Sequence, residues 1–263
     1  MSLEETVERV VPGTESWDLY GYEHMQRYEK FAPLCAGKKV LDAACGTGYG
    51  SLHLLQAGKA SSVLGIDVAE DAIAFATRYN ATGLHYKKHD CMNLSDLGEQ
   101  FDVVISFETI EHLSNPQAFI QQAHDVLKPG GVFVCSTPNK DRLSGAGNIN
   151  PFHPSELPYD EFRAAMAKHF DIEEELHQSE TVAYFRYMEL KHMIVKMGGR
   201  MEGFMTNRLE KGFRKMVNKS FVYDPFMRND LENLMEGDME ILPLSQGPKS
   251  WHKTYIIQGR KKG

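Results

Sequence analysis

Between Lys39 and Thr137 the chain alternates short apolar runs with helical patterns, and this alternation restricts the fold more than any other feature. The runs "KKVLDAAC", "SSVLGIDV", "FDVVISFET" and "GGVFVCSTP" are nearly continuously apolar and are bounded by Gly, Asp or Pro; "LHYKKHD" reads as a further strand. Between them, "GSLHLLQAG", "AEDAIAFATRYNA" and "NPQAFIQQAHDVLKPG" place apolar residues three and four apart and end in helix breakers. Strands without polar alternation are buried on both faces, and strands that alternate with helices pair in parallel. The expectation is an α/β fold, a mostly parallel sheet covered by helices on both sides.

The 263 residues suffice for one such domain with an elaboration. With 42% hydrophobic and 25% charged residues the chain reads as a soluble globular protein. Its apolar runs fall short of the roughly 18 residues of a membrane span, and "MSLEETVERVVPGTES" is acidic with no apolar leader, so the expected location is cytoplasmic. A net charge of −7 argues against a nucleic-acid partner, which requires clustered Lys and Arg. The cationic stretch Asn207 to Ser220 reads instead as a solvated helix face. Cys35, Cys45, Cys91 and Cys135 form no CxxC pair and read as buried thiols.

After Thr137 the pattern changes. "PNKDRLSGAGNINPFHPSELP" is a long loop, followed by the helix "YDEFRAAMAKHF" and the strand "DIEEELHQS". From about Glu180 to Gly237 the chain reads helical and rich in Met and aromatics, and "HKTYIIQGRKK" closes as a last strand. The expected organisation is an N-terminal helical segment over 1–36, a core of 37–178 with 248–263, and a helical insertion over 179–247. That insertion serves either as a cap on the site or as a pad for the core or a homodimer interface. Its aromatics, Tyr184, Phe185, Tyr187, Phe204, Phe213, Phe221, Tyr223 and Phe226, suit core packing or the face of a ring-shaped acceptor.

The turn "VLDAACGTGYGS" lies between a strand and a helix, where Gly46 and Gly48 let a ligand approach the backbone closely. A dinucleotide fingerprint would be G-x-G-x-x-G; here the pattern is G-x-G-x-G, and Asp42 stands where a pyrophosphate would be repelled. A carboxylate there suits a cationic ligand. Asp67 ends the next strand, placed to accept a ribose diol, and Asp90 ends a third.

"VLDAACGTGYG", "GIDVA", "HDCMNL", "FDVVISFETIEHL" and "LKPGGVFVCSTPN", in this order, resemble the successive motifs of class I S-adenosylmethionine-dependent methyltransferases. The resemblance implies a Rossmann-like seven-stranded sheet with an antiparallel last strand. It places Asp42 and the backbone of Ala44, Gly46 and Gly48 at the methionine part, Asp67 at the ribose hydroxyls, Asp90 with the Cys91 backbone at the adenine, and Phe107 and Glu108 along the methionine side, with Cys45, Thr47, Val68 and Met92 among the cofactor-binding residues. "LYGYEHMQRYEKF" resembles the leading helix of members that write "EHxxRY". By that resemblance Tyr20, His24, Arg27 and Tyr28 fold over the cofactor, with Arg27 near its carboxylate.

Transfer of the methyl group to a hydroxyl requires a base, and His112 in "FETIEHL" and His153 in "NPFHPSE" are the candidates. Glu111 beside His112 adds a carboxylate. Glu108, Glu111 and His112 also resemble the "E-x-x-E-H" segment of ubiquinone-biosynthesis O-methyltransferases, which implies a site for Mg²⁺; the alternative is that Glu111 and His112 open a helix as cap and dipole partners. The segment "SFET" is not the "(D/N)PP(Y/F)" of amino-methylating DNA enzymes, which favours a small-molecule acceptor. "EHxxRY", "CGTGYG" and "NPFHPSEL" together are similar to sugar and glycosylated-metabolite methyltransferases. Three further readings stay open: N-methylation of a small molecule, a non-catalytic protein that binds S-adenosylmethionine or S-adenosylhomocysteine, and a nicotinamide dehydrogenase.

Overall fold

A computed structural model describes residues 9–140, 152–180, 239–246 and 252–263. The chain divides into two compact units, 1–178 with 241–263, and 179–240. Nearly all of the second, including the aromatics of the expected insertion and the homodimer face placed there, lies outside the described residues.

The first unit is a single sheet with helices against it. In chain order the elements are α1 (Glu15–Phe31), β1 (Lys39–Ala43), α2 (Tyr49–Gln56), β2 (Ser62–Asp67), α3 (Glu70–Ala76), β3 (Leu84–Lys88), β4 (Phe101–Ser106), α4 (Pro116–Val126), β5 (Leu127–Pro138), α5 (Tyr159–His169), β6 (Phe170–Glu180), β7 (Met239–Pro243) and β8 (Thr254–Lys261). The strand order is β3-β2-β1-β4-β5-β8-β6-β7. The pairs β1–β2, β2–β3, β1–β4 and β4–β5 are parallel, whereas β8 runs antiparallel to both β5 and β6. The mostly parallel sheet and its antiparallel last strand are as expected. Among the described residues the count is eight rather than seven, because β7 adds a strand beyond β6 inside the 179–247 span expected as a helical insertion.

The central strands are apolar throughout because both of their faces are covered. On one side Leu41, Val104, Phe133 and Ile257 pack with Phe119 and Ile120 of α4 and Phe162 of α5, all fully buried. Removing each such side chain from water contributes about 1.5–3 kcal/mol. α4 starts where the sequence predicts: the Asn115 side chain accepts from the Ala118 N–H, and Pro116 occupies the first turn, where no intrahelical donor is needed.

Towards the other face, α1 meets α2 through an aromatic joint. Tyr28 packs edge-on against Tyr49 and Phe107, with ring centroids 6.0 and 5.0 Å apart. Its ring occupies the space beside Gly50, where a Cβ would lie 2.0 Å from the ring carbon Cζ. The last glycine of "GTGYG" thus makes room for a side chain of the protein itself. Gly48, in the left-handed region at φ +83, is likewise hemmed in by Ala76 and Tyr86, while a Cβ on Gly46, at φ +54, would meet nothing within 4 Å. Of the three glycines, Gly46 alone leaves open space for a ligand.

Gly50→Ala is expected to destabilise the protein by about 1–3 kcal/mol, since displacing the Tyr28 ring outweighs the roughly 1 kcal/mol by which alanine favours a helix. A thermal unfolding midpoint that stays level or rises would refute this packing.

Candidate functional site

The carboxyl ends of β1, β2, β3 and β4 form one continuous edge, and hydrogen bonds join the ends of β1, β2 and β3. The Cys45 N–H donates to the Ile66 carbonyl at 2.8 Å, and the His89 N–H to the Asp67 carbonyl at 2.9 Å. The Asp67 carboxylate accepts from the Gly46 N–H at 2.9 Å through one oxygen and from the Ala69 N–H at 2.8 Å through the other. Asp90 accepts from the Met92 N–H at 2.9 Å and caps the short turn that follows. The residues read as ribose and adenine contacts are therefore neighbours, and their carboxylates set the shape of the edge as well as its charge.

Beneath this edge Asp42 is fully buried. It accepts from the Ser51 hydroxyl at 2.6 Å and the Tyr28 phenol at 3.2 Å. Ser51 reaches it because Gly65, which pairs with Asp42 across the strands, has no side chain; a Cβ there would lie 2.8 Å from Ser51 Oγ. Burial raises the Asp42 carboxyl to about 7, the nearby Asp67 charge adds to this, and the two hydroxyl bonds oppose it. A raised carboxyl means that folding favours the proton. The stability contribution is complete below an ordinary carboxyl pKa of about 4 and is lost as pH rises through about 7.

The other residues of the turn differ in what they can offer a ligand. Ala44, at φ +66, and Glu108, at φ +49, are non-glycine residues in the left-handed region, and both border this edge. Such backbone strain tends to concentrate at functional sites. Cys45 is buried, and burial together with Asp42 raises its thiol well above the usual range. Thr47 is turned inward and donates to the Val10 carbonyl at 3.2 Å. Cys91 and Phe107 are buried, Met92 is half-buried and Val68 is exposed.

α1 approaches the same edge from above. Arg27 is 1% exposed, and its Nη1 donates to Gln178 Oε1 at 2.5 Å, but its Nε and Nη2 are buried without a hydrogen-bond partner among the described residues. A guanidinium remains charged when buried, so these two donors call for an anion. His24 shares a hydrogen bond with the Tyr49 hydroxyl at 3.0 Å; burial, then the Arg27 and Lys253 charges, lower its pKa well below the usual range. Tyr20 is 46% exposed, with the Lys253 ammonium 5.7 Å from its ring centre.

Beyond β4 lies a second group. Glu111, His112 and His153 each present one donor atom within 4.8 Å of the others. His112 Nδ1 lies 2.9 Å from the Phe152 carbonyl and His153 Nδ1 lies 2.8 Å from Glu156 Oε1. Because the Phe152 carbonyl and the Glu156 carboxylate accept, each Nδ1 donates, and His112 Nε2 lies 4.0 Å from Glu111 Oε1. The rings meet edge-on at 4.8 Å, with the His112 side chain 35% exposed and Glu111 buried. Glu108, read from sequence as a ligand beside Glu111 and His112, accepts instead from the Ser136 hydroxyl at 2.7 Å. Sequence reasoning named His153 as a base, not as a partner to Glu111. Ser51, Ser136 and Gln178 were missed, because their roles arise from tertiary contacts with no local signature.

A protein-family model described as a methyltransferase domain matches residues 19–198, more than half of the chain. The chain belongs to that methyltransferase family. It is 37% identical over 155 residues to a protein of Mycolicibacterium smegmatis named a probable S-adenosylmethionine-dependent methyltransferase, covering 58% of this chain and 59% of that one. It is 36% identical over 114 residues to a ubiquinone biosynthesis O-methyltransferase of Ruegeria pomeroyi, covering 42% and 45%. The matched regions thus span less than two thirds of these relatives. The fold is shared with the N-methyltransferase NodS of Bradyrhizobium japonicum, solved with S-adenosyl-L-homocysteine, at a TM-score of 0.57 and 14% identity over the whole of both chains. It is shared equally with the [4+2]-cyclase SpnF, at a TM-score of 0.55 and 19% identity over 96% of this chain and 86% of that one. Methyltransferase architecture therefore supports more than one chemistry, and the reaction has to be argued from the site. Among the described residues of this methyltransferase-family chain, no helix is long and apolar enough to cross a membrane.

Asp67→Ala is expected to lower stability by about 1–3 kcal/mol with no ligand present, because the Gly46 and Ala69 N–H groups lose their acceptor. Denaturant unfolding with an unshifted midpoint would contradict the bridging role.

Proposed function

We propose that the chain transfers a methyl group from S-adenosylmethionine to a hydroxyl of a small acceptor such as a sugar or glycosylated metabolite. The observation that carries this reading is the juxtaposition on one sheet edge of a nucleoside-suited set and a pair of basic imidazole nitrogens. The first comprises Gly46, Asp67 and Asp90, with the Arg27 guanidinium above; the second is supplied by His112 and His153. When bound, the cofactor supplies an activated methyl on a sulfonium centre. Asp67 and Asp90 suit the ribose and adenine donors, and the two unpartnered Arg27 donors suit the methionine carboxylate. As the acceptor oxygen attacks, Nε2 of His112 or His153 takes its proton. Glu156 holds the His153 ring and the Phe152 carbonyl holds His112 in the tautomer this requires.

A second reading rests on the 4.8 Å group of Glu111, His112 and His153, a carboxylate and two imidazoles that could hold a divalent ion against a diol, a donor set that suits Zn²⁺ or Fe²⁺ better than Mg²⁺. An acceptor panel of sugars, catechols and amines, each with added divalent ion and with chelator, separates the two. Chelator-resistant methylation of a hydroxyl supports the base mechanism, chelator-sensitive turnover supports the metal, and turnover confined to amines makes the protein an N-methyltransferase. Cofactor binding without turnover on any acceptor leaves a non-catalytic binding protein.

Two variants test the assignments. His112→Ala is expected to lower turnover by about 10²-fold or more and to leave S-adenosylhomocysteine affinity nearly unchanged. Arg27→Met is expected to weaken that affinity by about 10- to 100-fold while the unfolding midpoint of the ligand-free protein holds or rises, because a buried charge without a counterion is removed. Unchanged affinity on calorimetric titration would remove Arg27 from the site.

A further inference from the structure

Asp42 is an unusual group to bury. Its carboxylate is fully enclosed, and its direct partners among the described residues are two neutral hydroxyls, Tyr28 and Ser51. The ionisable groups that face it are also without positive charge. Tyr28 approaches from α1, Cys35 from the turn after it, Cys45 from the glycine turn, Asp67 from β2 and Tyr86 from β3. β4 presents Ile105 at the paired position. Arg27, next to Tyr28 on α1, is turned to Gln178. Among the described residues no fixed cation is thus paired with this carboxylate, and a second carboxylate stands on the neighbouring strand end. The charge of whatever occupies the turn above then decides whether ionised Asp42 is tolerated, since charge interactions in a buried setting are screened far less than in water.

We propose that Asp42 exchanges a proton in step with the charge of the cofactor, ionised when the cationic sulfonium is bound and protonated when the neutral thioether product has replaced it. This rests on the proposed function and adds to it a means by which one pocket tells substrate from product. The methyl carbon–sulfur bond breaks and the methyl–oxygen bond forms; the acceptor's proton leaves to the base, and Asp42 takes up one proton from solvent as the sulfonium charge disappears. Near neutral pH the exchange is available in either direction, because the carboxyl is raised to about 7 in the ligand-free protein.

The test is calorimetric titration with S-adenosylmethionine and with S-adenosylhomocysteine, without acceptor, from pH 5.5 to 8.5 in buffers of unlike ionisation heat. Binding of the cation expels the Asp42 proton, so its affinity should rise with pH; binding of the product captures a proton, so its affinity should fall. The ratio of the two affinities should change by up to about tenfold per pH unit around neutrality. Asp42→Asn should abolish that difference, and any slope that remains in it belongs to His24 or to the ligands' own amino groups. Ser51→Ala, which keeps the carboxyl but removes one hydroxyl bond to its ionised form, should move the midpoint upward. Parallel slopes in the wild type, opposed slopes that persist in Asp42→Asn, or an unmoved midpoint in Ser51→Ala would each overturn the inference while leaving the proposed function standing. Failure of the wild type to bind either ligand at any pH would overturn both.

Discussion

The structure depends on how a carboxylate is accommodated under a glycine turn. Asp42 is the penultimate residue of β1, flanked by β2 and β4, where an unsatisfied charge would be prohibitive. Satisfying it requires Ser51 from α2 and Tyr28 from α1, and these two bonds fix both helices to the strand. Two glycines follow from that requirement. Gly65 clears the path for Ser51, and Gly50 clears the space for the Tyr28 ring. A motif read as a ligand cradle is thus in large part the joint that holds the N-terminal helix on the sheet.

That helix is fastened on its other side as well. Glu23 accepts from the Lys253 ammonium through both carboxylate oxygens, at 2.7 and 2.8 Å. Gln178 donates to the Glu23 carbonyl and to Gln26 while accepting from Arg27. α1 therefore reaches from the end of β1 to the region of β6 and β8, and its buried guanidinium is held by the neutral Gln178 amide, with no counterion among the described residues. A neutral holder leaves the charge available for an incoming anion, at the cost of stability until one arrives.

Much of this was legible in the sequence. Continuous apolar strands pointed to the parallel sheet, Asn115 and Pro116 marked the start of α4, and the runs that end in Asp67 and Asp90 placed these residues at successive strand ends. Legibility failed where a role depends on partners far along the chain. Gln178 meets Arg27 across 151 residues. His153 joins Glu111 and His112 because the Ser155 N–H donates to the Glu111 carbonyl at 3.2 Å in the turn after β4, whereas Glu108, three residues before Glu111, is drawn away by Ser136. β7 is five residues inside the 179–247 span read as a helical insertion, too short for its period to stand out.

The position of β8 has a consequence for how the chain is made. Residues 254–261 follow every other strand in sequence, yet they lie between β5 and β6. Until they emerge from the ribosome, the 12-residue β5, apolar along most of its length, has a bare edge, and so does β6. Bare strand edges of this kind recruit other chains. Synthesis that stalls before Thr254 would leave a nearly complete but adhesive sheet, so the nascent protein should depend on chaperones most heavily just before its last strand is delivered.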